Sequence, residues 1–363
     1  MPETASWGLN SVLGLYGLGF FLSCLLSLCL VPIAIRLSHR YRALDLPGKR
    51  KIHSIPVPRW GGLAVFGGIF GALGALALFS GSFHGLLGQR YPWMFGNLMG
   101  MPSVRRQFAG IFFGSTVLLC TGLLDDQRGG LSAWTKLLLQ VIAAYVAMDY
   151  GIRIAGMHLP WLGYLRFPII LSQVFTVLWV LTFVNAVNLV DGMDGLAAGL
   201  AAVAASSFIA IGLLYEVSWG RSYTAGFIQQ MHFGVLVACV VLGSCSAFLY
   251  FNFHPARVFL GDGGAYLLGY LLGVIAIAGM LKSAAFFAAW VPFLVVAVPV
   301  ADVGVAVGRR WLSGKKIFDP DQEHFHHRLL SLGWTQREIV FFLYCIGLGL
   351  SQVAIIWTAY RMR

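Results

Sequence analysis

Charge is what this sequence has least of. Of 363 residues only 14 are Asp or Glu, and charged residues of both signs make up 11% against 58% hydrophobic. A surface so poor in charge excludes a water-soluble globule. Cysteine forms no pattern either. None of the six (Cys24, Cys29, Cys120, Cys239, Cys245, Cys345) sits in a Cys-x-x-Cys pair, and all fall in apolar runs. They read as small packing residues, not as disulfide partners or metal ligands. No Lys or Arg precedes the first apolar run, so the basic leader of a cleaved secretory signal is missing and that run is expected to be retained. No helix-turn-helix, zinc-finger or RNA-binding pattern accompanies the net charge of +11. The basicity is therefore read as attraction to anionic membrane lipids, and no nucleic-acid partner is expected.

Long apolar runs are abundant. Crossing a hydrocarbon core of about 30 Å takes roughly 20 apolar residues in a helix. Ten candidate spans follow, at 11–33, 60–80, 107–124, 131–149, 169–187, 195–215, 232–251, 265–281, 284–308 and 339–360. The expected fold is all-α: one polytopic membrane domain over residues 1–363, with no internal repeat. Gly67-x-x-x-Gly71 and Gly110-x-x-x-Gly114 have the spacing of close helix packing. Sixteen of the 25 Lys and Arg fall on one side of this layout, mostly after spans 1 and 9. That side is placed in the cytoplasm, which leaves both termini periplasmic.

Eleven of the 14 carboxylates share the cytoplasmic side, most of them at span ends. The loops 34–59, 125–130, 188–194, 252–264 and 309–338 carry ten of them; the eleventh, Asp302, falls inside span 9. Asp125-Asp126 closes span 3, and adjacent carboxylates at a membrane boundary call for a cation. Lys136 and Gln140 share a face of span 4, about 8 Å inside its start for Lys136. That lysine is placed either to snorkel or to meet a phosphate.

NAVNLVDGMDGLAAG, residues 185–199, is the most specific string. Asn188, Asp191 and Asp194 are spaced by three, which in helical geometry puts them on one side. Gly192 and Gly195 leave backbone open to a ligand. FNFHPARVFLGDGG, residues 251–264, carries Asn252, Phe259 and Asp262, with glycines around the acid just before span 8. Such an aspartate can present its oxygens to a hard cation. DPDQEHFHHRLL, residues 319–330, sets His324, His326, His327 and Arg328 in a basic loop, where phosphate or sugar contacts rank ahead of zinc. Asp302, inside span 9, needs a partner. Lys49, Arg50, Lys51 and His53 lead into span 2 through two prolines.

KRKIHSIPVPRWGG, LLDDQR, NAVNLVDGMDGL, NFHPARVFLGDGG and EHFHHRLL, in this order, resemble the polyprenyl-phosphate N-acetylhexosamine-1-phosphate transferases, glycosyltransferase family 4. The His-x-His-His of HFHH is similar to the branch acting on UDP-GlcNAc and undecaprenyl phosphate; the phospho-MurNAc-pentapeptide transferases carry three consecutive histidines. The resemblance implies transfer of a sugar-1-phosphate from a UDP-N-acetylhexosamine to undecaprenyl phosphate, with release of UMP, at the bacterial inner membrane. It implies Mg2+, or Mn2+ in its place, with Asp262 the main ligand and Asn188 beside it. Asp125, Asp126, Asp191 and Lys136 would form the catalytic set near the lipid phosphate. Phe259 would stack on uracil, with Asn252, Gly192 and Asp194 around the uridine. His324, His326, His327 and Arg328 would hold the diphosphate and amino sugar. A homodimer stays open.

Two other classes compete. A Mg2+-dependent membrane prenyltransferase would use Asp191-x-x-Asp194 but has no use for HFHH. A secondary transporter would set its acids at mid-bilayer on broken helices, whereas most acids here lie at span ends.

Overall fold

The computed structural model describes residues 9–47, 55–88, 103–159, 163–219, 225–280 and 333–361. These form α1 (Leu9–Arg40), α2 (Gly61–Phe79), the short α3 (Gly81–Gly88), α4 (Val104–Arg128), α5 (Ala133–Asp149), α6 (Ile169–Val190), α7 (Leu196–Trp219), α8 (Ala225–Asn252), α9 (Gly261–Ile275), a π-helical turn at Ala276–Met280, and α10 (Gln336–Arg361). Two small antiparallel pairs complete it: β1 (Leu44–Asp45) with β2 (Val57–Pro58), and β3 (Gly156–Leu159) with β4 (Gly163–Arg166). Eight of the helices are long and apolar enough to cross a membrane, and α5, at 17 residues, matches the fourth expected span. The protein is an all-α, multi-pass membrane protein. The ninth expected span, 284–308 with Asp302, lies outside the described residues.

Helix α9 is the hub. Every residue in it except Asp262 is buried, and it packs on α2, α4, α6, α7 and α8. Apolar all round and rich in glycine, it suits a helix with no lipid-facing side. The closest approaches are backbone on backbone: a Cβ at Gly62 would run into Gly264, and one at Gly122 into Gly263. The two Gly-x-x-x-Gly pairs do something different. Gly67 and Gly71 take Leu30 and Leu26 of α1, while Gly110 and Gly114 take the Tyr150 and Tyr270 side chains. All six cysteines are free and lie in helices, as expected.

Three sequence boundaries shift, each for a local reason. Asp125 and Asp126 are buried in the last turn of α4, not in a loop at 125–130. The helix stops after Arg128 because Gly129 takes a left-handed conformation at φ 72°. Ser132 then caps α5 by accepting from the Thr135 amide at 3.1 Å. Asp262 lies in the first turn of α9, ahead of the expected start at 265. Finally, α6 ends at Val190 with Asp191 as its C-cap. Asn188, Asp191 and Asp194 therefore do not share one helical side, because a turn separates the first from the last.

Candidate active site

Four helix ends meet at one end of the bundle, the C-termini of α4 and α6 and the N-termini of α5 and α9. The Gly129–Gly130 turn folds α5 back along α4, bringing Lys136 to Asp125, eleven residues earlier. Lys136 Nζ donates to Asp125 Oδ2 at 2.8 Å and to Asp262 Oδ2 at 3.1 Å. Asn188 Nδ2 donates to Asp262 Oδ1 at 3.2 Å, and the Tyr266 hydroxyl to Oδ2 at 3.3 Å. Asp125 Oδ1 takes the Leu131 amide at 2.5 Å, which fixes the carboxylate to the turn. One ammonium thus bridges carboxylates from two helices.

Behind this bridge Asp126, its side chain 1% exposed, faces Arg59 Nε at 3.2 Å. Asp191 keeps part of its surface in contact with water. Desolvation nevertheless holds its carboxyl well above the usual range, reinforced by the nearby Asp262 and Asp126 carboxylates. Among the described cations only Lys136 and Arg59 pair with this group, meeting Asp125, Asp262 and Asp126, so with Asp191 protonated one negative charge is left over, and a divalent cation would favour ionisation of the fourth acid.

The donors suit a hard cation. They are carboxylate and amide oxygens, and no three His, Cys, Asp or Glu converge as a cage among the described residues. Mg2+ typically takes one or two carboxylates, keeps waters and shares the phosphates of its substrate. Asp262 and Asn188, joined to each other at 3.2 Å, are the residues that could hold such an ion.

A relative from Bacillus subtilis strain 168, named a probable undecaprenyl-phosphate N-acetylglucosaminyl 1-phosphate transferase, is 31% identical over 93% of this chain and 83% of its own length. A decaprenyl-phosphate N-acetylglucosaminephosphotransferase of Mycobacterium tuberculosis is 34% identical over 85% of this chain and 74% of its own. The phospho-N-acetylmuramoyl-pentapeptide-transferase of Lactobacillus acidophilus is 33% identical, but over only 62% of this chain and 67% of its own. The model of glycosyl transferase family 4 matches residues 108–280. The chain belongs to glycosyl transferase family 4.

Within this member of glycosyl transferase family 4, Asp125, Lys136, Asn188 and Asp262 converge directly, with Asp126 and Asp191 beside them. Asp194, Asn252, Gly192 and Phe259 form a second group, on the turn after α6, at the last residue of α8 and on the loop after it. Asp194 Oδ2 accepts from the Ala256 amide at 3.1 Å and pairs with His254 Nδ1 at 2.8 Å. Asn252 is buried; its Oδ1 accepts from the Gly195 amide at 3.1 Å and its Nδ2 donates to the Val258 carbonyl at 2.8 Å. These bonds tie the two segments together. Gly192 is exposed with open space where a Cβ would stand. The Phe259 amide donates to Pro58 O at 2.8 Å. His324, His326, His327 and Arg328 lie outside the described residues, as do Lys49, Arg50, Lys51 and His53.

Four residues not singled out by the sequence join these groups. Tyr266 stands four residues after Asp262, a helical spacing that would have exposed it. His254 and Arg337 meet across the fold: the Arg337 guanidinium donates to the His254 carbonyl at 2.8 and 3.1 Å, pinning the start of α10 to the loop after α8. Arg59 entered only as a basic residue of the loop after span 1 and as part of the string KRKIHSIPVPRWGG; nothing in its spacing ties it to Asp126.

Proposed function

We propose that this protein transfers an N-acetylhexosamine-1-phosphate, GlcNAc-1-phosphate foremost, from its UDP-sugar to undecaprenyl phosphate. The products are the polyprenyl-diphospho-sugar and UMP, and the reaction would begin a cell-envelope glycan on the cytoplasmic face of the bacterial inner membrane. The observation that carries this reading is the Lys136 ammonium held between Asp125 and Asp262 at the ends of membrane-spanning helices. Cation and carboxylates at a lipid boundary are what two phosphorylated substrates need, one arriving from water and one from lipid. The names of the B. subtilis and M. tuberculosis relatives favour GlcNAc and a polyprenyl phosphate.

Phosphoryl transfer asks for positioning and charge neutralisation above all. An oxygen of the lipid phosphate forms a bond to the sugar-linked phosphorus, the bond to the bridging oxygen breaks, and UMP leaves with the electron pair. A phosphate monoester has its second pKa near 6, so near neutral pH most of the acceptor is already a dianion and needs no strong base. In this reading Asp125 orients the acceptor through Lys136, whose ammonium would pass from carboxylate to phosphate as the lipid headgroup binds. Asp262 and Asn188 would hold Mg2+, which supplies charge neutralisation at the diphosphate. The second group, Gly192 to Asp194 with Asn252 to Phe259, would receive the uridine. His324, His326, His327 and Arg328 would grip the diphosphate and amino sugar.

The test offers the purified protein a panel of UDP-sugars with undecaprenyl phosphate and Mg2+, then identifies the lipid product by mass and counts UMP. A GlcNAc product of one phosphate more than the acceptor supports the reading. UDP-MurNAc-pentapeptide as the preferred donor would move it to the translocase branch, and an absence of UMP with every donor would refute it.

A further inference from the structure

Asp125 and Asp126 are adjacent in sequence yet face different partners. About 100° of helical turn separates their side chains, so Asp125 meets Lys136 while Asp126 turns inward to Arg59. Neither oxygen of Asp126 makes a hydrogen bond of good geometry. Its charge is answered by Arg59 Nε at 3.2 Å, with the Asp262 backbone amide as a further, looser contact. Arg59 is anchored in turn. Its amide donates to the Ala43 carbonyl at 3.0 Å, and its Nη1 lies 3.9 Å from Asp45 on β1.

This pair abuts the start of α9. Gly261 has φ +73°, and a Cβ there would overlap the Arg59 carbonyl and crowd Asp126 Oδ2. On either side the backbone is stitched: the Phe259 amide donates to Pro58 O at 2.8 Å, the Gly61 amide to Phe259 O at 3.0 Å, and the Gly62 amide to Leu260 O at 2.8 Å. Gly122 against Gly263 and Gly62 against Gly264 close the remaining sides. Asp262 is therefore carried on a backbone clamp, and the Arg59–Asp126 pair is the ionic part of it.

We infer that Arg59, acting through Asp126, is a positioning residue that sets where the Asp262 carboxylate points, and that Asp126 does not touch the reacting phosphates. A carboxylate with a 1% exposed side chain has no path to a substrate without leaving its guanidinium, and breaking a buried pair leaves an uncompensated charge. The inference deepens the proposed transferase reading and rests on it for the reaction concerned.

The test compares wild type, Arg59→Gln, Arg59→Lys, Asp126→Asn and the double variant Arg59→Gln/Asp126→Asn as full-length protein in detergent. The first readout is the thermal shift on titrating Mg2+ without substrates. Residues that support a metal ligand typically change affinity by about 10- to 100-fold when lost. Either single variant should raise the half-saturating Mg2+ concentration about tenfold, and the double variant should match the singles, because both remove one device. Arg59→Lys keeps the charge and should fall between, which protects the test if a neutral variant fails to fold. The second readout is UMP release, expected to fall in kcat with KM for the UDP-sugar nearly unchanged. The inference is overturned if Asp126→Asn abolishes UMP release at an unaltered Mg2+ midpoint while Arg59→Gln stays active, if the two losses add, or if wild type shows no Mg2+ shift. Should wild type shift with Mg2+ yet release no UMP from any donor, the transferase reading falls while the titration still decides the role of Arg59.

Discussion

At the end of the bundle where α1 begins, the Tyr16 hydroxyl meets His232 Nδ1 at 2.6 Å and His232 Nε2 faces Glu216 at 3.5 Å, so one short chain of polar groups ties α1, α8 and α7 together. At the other end Asp125, Asp126, Asp191 and Asp262 crowd around Lys136 and Arg59. Both ends bury polar side chains, but the first chain holds a single carboxylate, whereas among the described residues the second gathers four around two cations. The first joins three helices through three side chains, although His232 Nε2 and Glu216 Oε2 lack a hydrogen bond of good geometry. The second is electrostatically incomplete, and a protein tolerates such an arrangement where a ligand finishes it. The difference separates a packing device from a candidate active site.

Asp262→Asn bears most heavily on the contrast between the two ends. It should cut UMP release by about a thousandfold or more, on the scale of losing several kcal/mol of metal-borne charge stabilisation, while leaving the helical circular dichroism intact. Chelation by EDTA should do the same and be reversed by Mg2+. A variant within tenfold of wild type would show that this acid is not the metal ligand.

Lys136→Met comes next, with a loss of about a hundredfold, and Lys136→Arg should not restore it. A compact ammonium sits 2.8 and 3.1 Å from two carboxylates, and the broad guanidinium fork is not interchangeable with it. Full activity in the arginine variant would argue for a simple lipid-snorkelling role.

Gly122→Val should act through packing. The added side chain runs into the backbone of Gly263 and Asp262, and overpacking of this kind costs about 1–3 kcal/mol. A lowered melting temperature with UMP release lost in step would tie the site to the seating of α9. At the opposite end Tyr16→Phe removes one buried hydrogen bond, worth about 1 kcal/mol, and should lower the melting temperature slightly with UMP release unchanged. A large activity loss there would undo the contrast between the ends.

The smallest effect concerns Asp191. Its folded-state pKa is raised, so the carboxyl favours the folded protein while it holds its proton. That contribution is whole below the ordinary carboxylate value near pH 4 and is lost as the pH climbs through the raised value. In metal-free buffer Asp191→Asn should therefore match wild type near pH 4 and become the more stable of the two toward neutral pH. A constant difference in melting temperature across that range would contradict the assigned burial.

The membrane class and most of the spans were legible in the sequence because lipid imposes a one-dimensional requirement, about 20 apolar residues at a time. Lys136, Asp125, Asn188 and Asp262 were legible as well, since charged or amide groups stand out at the ends of such runs. What misled was helical spacing carried across Asn188, Asp191 and Asp194: the period holds only while the helix continues, and α6 stops at Val190. Arg59 and the Gly122–Gly263 contact left no trace in spacing, because each joins segments far apart in the chain.

Local hydropathy alone was enough to show that this chain spans a membrane repeatedly and that most of its acids collect at the ends of its spans. That Lys136 bridges Asp125 to Asp262 while Asp126 turns to Arg59 emerged from the packed helices. That choice depends on which helices approach closely enough to share a buried charge, and the glycine contacts around α9 set those distances.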